Sequence, residues 1–319
     1  MVLSINLKVV FMSTYLITGI SGFVGKHLVS CILQKDKNAC IYGVGKRACC
    51  DLGTHYFRMD LKNQEQVSRL LKKVRPDFII HLASMSSVQE SWNNPQECFD
   101  VNANVIINVL TAVKDNNLSS RILTVGSSEV YGNYPEHEMP LKETYPLNPI
   151  SPYAVTKLFQ ENICKVYADS FGLDIVMTRS FNHFGAGQDD KFFIPSLVKQ
   201  LLEIKNGDKK TLLVGNIDIK RDFINVNDVA EIYYKLLYDG KKGEVYNVCS
   251  GKPVLLREIV THCCSILNIN PEIIVDRQRV RPNDIYVIYG DNSKVKSVTG
   301  WQQKYFLESS LKDIILGNE

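Results

Sequence analysis

Thr18-Gly19-Ile20-Ser21-Gly22-Phe23-Val24-Gly25 is the stretch of the chain that decides the fold. A short apolar run precedes it and a helix-like segment, residues 26–33, follows it. Its three glycines provide a tight turn, close backbone approach to a pyrophosphate and close packing of helix on strand. The N-terminus of the following helix offers free N–H groups to phosphates. A strand–helix turn without a ligand is the alternative, but the flanking strand and helix favour a dinucleotide-binding loop.

Short apolar runs alternate with amphipathic segments through the first half of the chain. The strand-like runs are residues 15–18, 40–44, 77–82, 121–125 and 174–178, and the helix-like segments are 26–33, 64–73, 95–115 and 152–170. This alternation predicts an α/β protein with a Rossmann-type, doubly wound parallel sheet. After about residue 180 the elements are shorter, and residues 226–237 and 243–248 are candidates to rejoin the first sheet.

The pattern predicts two interleaved domains. The first, a Rossmann domain for the dinucleotide, covers residues 12–180 and is rejoined by about 224–250. The second, a smaller C-terminal substrate domain, covers residues 181–223 and 251–319. A chain of 319 residues is long enough to bury such cores without disulfides.

Composition excludes several classes of protein. With 45% apolar and 22% charged residues, the chain is not disordered, collagenous or a coiled coil. A net charge of +3 predicts neither a nucleic-acid nor a membrane partner. The nine cysteines include no C-x-x-C and no zinc-ligand spacing, so we expect no metal site and reduced thiols in the cytoplasm. A redox-sensing vicinal pair, Cys49–Cys50 or Cys263–Cys264, is the alternative.

The end of the second predicted strand selects the form of the cofactor. Tyr42-Gly43-Val44-Gly45-Lys46-Arg47 contains no carboxylate for the ribose 2′-hydroxyl of NAD. Arg47, helped by Lys46, suits the 2′-phosphate of NADP because its planar fork matches phosphate. We therefore expect NADP/NADPH, with NADH as the alternative cofactor and a solvated loop pair as the alternative role of these cations.

A tyrosine and a lysine four residues apart predict proton-transfer chemistry. Ser151 is a suitable N-cap and Pro152 a suitable first residue of the helix that carries Tyr153 and Lys157 on one face. A cation beside the phenol is expected to lower its pKa from about 10. Alone, such a spacing usually means a tyrosine and a lysine on a solvated helix face, but the glycine loop upstream makes it specific. Ser127, after a strand, is expected either to bond a substrate carbonyl or to bond its own backbone in a turn.

With these motifs the chain resembles the extended short-chain dehydrogenase/reductase family of nucleotide-sugar enzymes, from about residue 14 to its end. Within that family it is most similar to reductases of GDP-linked 4-keto-6-deoxy sugars. Besides the motifs above, the resemblance is carried by Ile80-His81-Leu82-Ala83-Ser84, Ser127-Ser128-Glu129-Val130-Tyr131-Gly132, Arg179 to Gln188, Val214-Gly215-Asn216, Arg221-Asp222-Phe223, Arg281-Pro282-Asn283-Asp284 and Thr299-Gly300-Trp301.

The resemblance implies a role for each matching residue. The catalytic residues would be Ser127, Tyr153 and Lys157. The cofactor would contact Gly19, Gly22, Phe23, Val24, Gly25, Arg47, Asp60, Leu61, Leu82, Ala83, Ser84, Tyr153 and Lys157. The GDP-sugar substrate would contact Ser127, Ser128, Glu129, Asn182, Lys199, Arg221, Arg281 and Asp284. The resemblance also implies a homodimer through residues 95–115 and 152–170.

Several alternatives stay open within this family. Glu129 stands where related 4,6-dehydratases have the glutamate that takes the C5 proton, whereas Ser127 stands where dehydratases usually have threonine. A 4,6-dehydratase, a reductase or epimerase of a related 4-keto sugar, and a non-catalytic cofactor-sensing protein are the alternatives to a reductase. Ala186 replaces the proline usual in the reductase motif. Structural ion pairs with Asp222 and Asp284 are the alternative role of Arg221 and Arg281.

Overall fold

The computed structural model describes residues 12–48, 53–280 and 284–317. Its strands are β1 (Thr14–Thr18), β2 (Cys40–Gly45), β3 (His55–Arg58), β4 (Phe78–His81), β5 (Arg121–Ser127), β6 (Asp174–Ser180), β7 (Asn182–Phe184), β8 (Thr211–Val214), β9 (Lys220–Asn225), β10 (Val245–Val248), β11 (Pro253–Leu255), β12 (Glu272–Val275) and β13 (Val287–Ile288). Its α-helices are α1 (Phe23–Lys35), α2 (Gln64–Val74), α3 (Val88–Asn93), α4 (Pro95–Phe99), α5 (Val105–Asp115), α6 (Pro152–Ser170), α7 (Phe193–Lys205), α8 (Val226–Asp239), α9 (Leu256–Leu267), α10 (Ser293–Thr299) and α11 (Leu307–Leu316).

The main sheet confirms the predicted doubly wound α/β fold. Seven parallel strands lie in the order β10-β6-β5-β4-β1-β2-β3. The strand order reverses between β1 and β4, where ligands of such sheets bind. Apolar side chains of α1 and α8 cover one face, and those of α2, α5 and α6 cover the other.

The predicted helix over residues 95–115 is observed in three pieces. Between α4 and α5 the backbone of Asp100–Asn104 forms a π-helical turn. Within it the side chain of Asn102 is fully buried. Its amide oxygen accepts hydrogen bonds from the hydroxyl of Ser84 and the amide of Met85 at 3.0 and 2.8 Å. The local distortion therefore ties this helix to the loop after β4.

The later part of the chain builds a second core beside the main sheet. Strands β11, β9 and β13 form a small sheet to which β7 adds by pairing with β9, and β8 pairs with β12. Helices α7, α9 and α11 pack their apolar side chains against these strands. Strand β10 returns to the main sheet beside β6. The domain boundaries given above stay a prediction. None of the described helices is long and apolar enough to cross a membrane.

Candidate active site

The glycine loop forms a cradle that larger residues would fill. Gly19 has φ +71°, and a Cβ there would lie 2.8 Å from the backbone nitrogen of Ala83. A Cβ on Gly25 would lie 2.2 Å from the carbonyl oxygen of Ile20. Gly22 is the N-cap of α1, and no described side chain caps that helix, whose first residues are Phe23 and Val24. Close backbone approach and an uncapped helix N-terminus suit a pyrophosphate.

The segment after β4 borders this cradle. The amide of Leu82 donates to the carbonyl oxygen of Thr18 at 3.1 Å, which continues the β1–β4 pairing. The amide of Ala83 donates to the hydroxyl of Thr18 at 3.2 Å. Ser84 follows and donates its hydroxyl to the Asn102 amide oxygen. The predicted cofactor contacts Leu82, Ala83 and Ser84 therefore lie beside the glycine loop.

Asp60 and Leu61 follow β3 at the same edge of the sheet. The carboxylate of Asp60 pairs with the Lys46 ammonium at 3.0 Å, and both side chains are substantially exposed. Leu61 is buried, and its carbonyl oxygen accepts from the Asn108 side chain at 2.9 Å. The structure thus brings the predicted cofactor contacts Asp60 and Leu61 to the end of β2, where Arg47 lies.

Arg58 is a basic residue of this region that the sequence reasoning did not assign. It ends β3 opposite Gly45 of β2, and its Nε donates to the carbonyl oxygen of Lys46 at 3.1 Å. The hydroxyl of Tyr56 donates to the carbonyl oxygen of Arg47. Arg47 and Arg58 are both exposed. The signal that would have found Arg58 is the register between β2 and β3, which sets the strand ends side by side.

Helix α6 begins as its capping residues predict. The Ser151 hydroxyl accepts from the amide of Ala154 at 3.1 Å, and Pro152 is the first helical residue. Tyr153 is buried in the first turn and its hydroxyl lies close to the side chain of Ser127. The structure therefore brings together the predicted tyrosine and serine.

Ser127 ends β5 and opens a short 3-10 turn that carries Ser128 and Glu129. The hydroxyl of Ser127 accepts from the amide of Glu129 at 3.2 Å, so the serine both caps its own turn and contacts Tyr153. The turn alternative for this serine is thus observed, and its bond to a substrate carbonyl stays a prediction. Ser128 is buried and Glu129 half-buried. Glu129 lies close enough for its charge to act on the Tyr153 phenol.

The expectation that Lys157 lowers the pKa of Tyr153 is wrong in this structure. Burial raises the pKa of the Tyr153 phenol, and the negative charge of Glu129 adds to the rise, although the nearby Ser127 hydroxyl opposes it. The Lys157 ammonium lies 5.9 Å from the centroid of the tyrosine ring. It donates instead to the carbonyl oxygen of Val125 at 2.9 Å. The phenol is therefore protonated at neutral pH.

The predicted substrate residues lie on the adjoining strands. Ser180 of β6 pairs with Ser127 of β5, and Asn182 follows two residues later at the start of β7. The Asn182 amide donates to the carbonyl oxygen of Asp222 in β9 at 3.2 Å. Asn182 therefore joins the end of the main sheet to the small sheet.

The predicted phosphate-binding cations have protein partners. Arg221, 7% exposed, donates to the Asp284 carboxylate at 3.0 Å and to the Ile285 carbonyl oxygen at 2.6 Å. Lys199 is exposed and pairs with Asp190 at 2.6 Å. Arg281 lies outside the described residues. Arg221 and Lys199 are thus positioned by carboxylates.

His183 lies in the stretch from Arg179 to Gln188 that supports the family resemblance, but the sequence predicted no role for it. Its Nε2 lies 3.4 Å from the hydroxyl of Tyr233, which in turn bonds the hydroxyl of Ser180 at 2.7 Å. Burial lowers the pKa of His183 to about 4, so the ring is neutral at physiological pH. Its position directly after Asn182 is the signal that would have marked it.

Comparison with known proteins yields consistent matches. A family model described as GDP-mannose 4,6 dehydratase matches residues 16–314. GDP-6-deoxy-D-mannose reductase of Pseudomonas aeruginosa is 33% identical over 94% of this chain and 95% of its own. GDP-6-deoxy-D-talose 4-dehydrogenase of Aggregatibacter actinomycetemcomitans is 32% identical over 89% of this chain and 90% of its own. A structure described as RMD from Pseudomonas aeruginosa complexed with NADPH superposes with a TM-score of 0.84 and 32% identity, covering 96% of this chain and 98% of the other.

Proposed function

The chain belongs to the GDP-mannose 4,6-dehydratase family of nucleotide-sugar oxidoreductases, and we propose that it is a reductase within that family. The proposed reaction reduces the 4-keto group of GDP-4-keto-6-deoxy-D-mannose with NADPH and yields GDP-D-rhamnose, also called GDP-6-deoxy-D-mannose. The observation that carries the proposal is the buried, protonated Tyr153 phenol beside Ser127 at the carboxyl end of β5, the strand next to β4.

The residues at the glycine loop fit NADPH. The close approach of Gly19 to Ala83 and the uncapped start of α1 suit the pyrophosphate. Arg47 and Arg58 support binding of the 2′-phosphate, since guanidinium groups bind phosphate in a fork. The relative complexed with NADPH supports the same cofactor. NADH is the alternative, and the assay below includes it.

The protonated phenol of Tyr153 determines the direction of the proposed proton transfer. When bound, the nicotinamide supplies the hydride for C4 of the sugar. A protonated phenol is the form that donates a proton to the developing alkoxide at O4. Ser127 lies beside the phenol hydroxyl, and the Lys157 ammonium supplies positive charge near the phenolate that remains after the proton has left. These three side chains are the proposed catalytic residues.

The diphosphate end of the substrate is assigned to the adjoining strands. Asn182 and Arg221 are the proposed contacts there, with Arg281 completing them. Ser128, Glu129, Lys199 and Asp284 are the remaining proposed substrate contacts. Arginine suits this task because it stays charged at any physiological pH.

An activity screen tests the reductase. GDP-4-keto-6-deoxy-D-mannose should cause loss of NADPH absorbance, and NMR of the product should show the manno configuration at C4. A talo product would instead identify the opposite stereochemistry, that of the Aggregatibacter relative. Absence of substrate-dependent NADPH consumption with every GDP- and UDP-linked 4-keto sugar would refute the proposal. Parallel assays with NADH establish the cofactor preference.

Glu129 favours a second candidate, a GDP-mannose 4,6-dehydratase. Its carboxylate lies close enough to the Tyr153 phenol for its charge to raise the pKa of that phenol. A base at this position would lie near the sugar that Tyr153 is proposed to contact. That activity would remove one water from GDP-mannose without net NADPH consumption. Mass spectrometry of the GDP-mannose incubation distinguishes it from the reductase. A cofactor-sensing protein would turn over neither substrate.

The assembly and location remain proposals. We infer a homodimer through α4–α5 and α6, supported by the exposed apolar side chains of Phe99, Val155 and Val166. Light scattering on the purified protein tests it.

Free thiols at all seven described cysteines support a reducing compartment such as the cytoplasm. We also retain the interleaved domain boundaries, with the cofactor on the first domain and the sugar nucleotide between the two.

A further inference from the structure

Gln160 lies one helical turn after Lys157 on the buried side of α6. Its side chain is 1% exposed. Its amide oxygen accepts a hydrogen bond from the Lys157 ammonium at 3.1 Å, and its amide nitrogen donates to the carbonyl oxygen of Val125 at 3.1 Å. The same carbonyl accepts from the ammonium at 2.9 Å. Lysine, glutamine and strand carbonyl thus form a closed triangle.

The orientation of this amide is set by its partners. If the amide were turned over, its NH2 group would face the ammonium and its oxygen would face a carbonyl oxygen, so both contacts would be repulsive. Only the observed orientation satisfies all three groups. The backbone of β5 therefore aims the glutamine oxygen at Lys157.

Two fixed acceptors determine the direction of the remaining N–H bond. The ammonium has three tetrahedral donors, and two of them are used by Val125 and Gln160. The third N–H is thereby held in one direction beside the Tyr153 ring. With Val125 alone, the long lysine side chain keeps more freedom.

We propose that Gln160 is a positioning residue, which holds the Lys157 ammonium in its charged, oriented form for the reaction at Tyr153. This role rests on the proposed reductase function. It is assigned from the triangle of hydrogen bonds, in which a buried amide has no other described partner. Removing the amide oxygen leaves a buried ammonium with one acceptor fewer, which disfavours its charged form.

Other titratable groups around Lys157 are poor sources of compensating charge. Burial lowers the pKa of Lys157 to about 8. Cys98 of α4, Cys164 of α6 and His81 of β4 are within electrostatic range. Burial raises the pKa of both thiols and lowers that of His81 to about 3, so all three are neutral near pH 7. The glutamine dipole is thus a main polar support of the ammonium.

The pH dependence of kcat in Gln160→Leu and Gln160→Glu tests the proposal. Activity should fall on the alkaline side as Lys157 loses its proton. In Gln160→Leu this alkaline limb should move to lower pH by about one unit, as expected for loss of a hydrogen bond to a charged group. In Gln160→Glu a carboxylate beside the ammonium should move it to higher pH. Unchanged limbs, or shifts in the same direction in both variants, overturn the proposal.

Gln200→Leu is the matched control. Gln200 is a buried glutamine of α7 whose amide bonds the backbone of Leu213. Its replacement should leave the alkaline limb in place, and an equal shift would overturn the specific role of Gln160.

A measurement without substrate separates this proposal from the proposed reaction. The Cε resonance of Lys157 in [13C]lysine-labelled protein, assigned by its loss in Lys157→Arg, should titrate with the same opposite shifts in the two Gln160 variants. These shifts support the positioning role even if no nucleotide sugar is turned over. An unshifted titration overturns it, whatever the substrate.

Discussion

The inner wall of the site, where α6 packs on β5, differs in construction from the rim that carries the cations assigned to phosphates. On the wall, Tyr153 and Lys157 are nearly inaccessible. Tyr153 lies beside Ser127, and Lys157 donates to the carbonyl oxygen of Val125 near the end of β5. On the rim, Lys199 is more than half exposed and pairs with an equally exposed Asp190. Arg221 is intermediate, since it is buried but paired with Asp284. The side chains proposed to react are thus buried, whereas the cations proposed to bind phosphate range from buried to exposed.

The largest loss of activity should follow substitution of Tyr153 on the inner wall. Tyr153→Phe removes the phenol hydroxyl and keeps the buried ring, so kcat should fall by about 10²- to 10⁴-fold, as for loss of a general acid. Binding of NADPH should persist, because the glycine loop is untouched. Steady-state kinetics and fluorescence titration with NADPH measure the two quantities.

Tyr246→Phe is a control for this substitution. Tyr246 is a fully buried tyrosine of β10, whose hydroxyl accepts from the amide of Lys241. This variant should retain kcat. A Tyr153→Phe enzyme with wild-type turnover would remove the proton-donor role and the distinction between wall and rim.

The wall was also the more predictable region from sequence. The start of α6 depends on Ser151 and Pro152, which are local signals, and the register of Tyr153 and Lys157 follows from helical spacing. The parallel sheet followed from the alternation of apolar runs and amphipathic segments. The local sequence pattern did not predict the burial of Tyr153, which raises the pKa of the phenol where a lower pKa was expected.

Rim contacts depend on tertiary pairing and were less predictable. The ion-pair alternative considered Asp222, the neighbour of Arg221 in sequence. The observed partner is Asp284, 63 residues away, because β13 pairs beside β9. Asp222 instead accepts hydrogen bonds from Ser250 and Gly251. Arg58 likewise became visible only when β3 was placed beside β2.

An intermediate effect on KM is expected at the buried ion pair of the rim, Arg221 and Asp284. If Arg221 binds the diphosphate, Arg221→Gln should raise KM for the GDP-sugar roughly 10- to 100-fold, which corresponds to one or more lost hydrogen bonds to a charged group. Asp284→Asn keeps the arginine and should change KM much less, while it lowers the free energy of unfolding by about 1–3 kcal/mol. Kinetics and urea denaturation measure both. Equal changes of KM in the two variants would indicate a purely structural pair.

The smallest effect is expected for Lys199. Its ammonium is exposed and already pairs with Asp190, and such surface pairs contribute little because water and salt screen them. Lys199→Ala should therefore raise KM for the GDP-sugar by less than about fivefold, with kcat unchanged. The increase should disappear at high ionic strength. Lys209→Ala, which removes a comparable pair with Glu203, is the control for a general loss of positive charge. An increase in KM that approaches that of Arg221→Gln and persists at high salt would mean that Lys199 leaves Asp190 and binds the nucleotide directly. The contrast between the buried wall and the exposed rim would then not hold for Lys199.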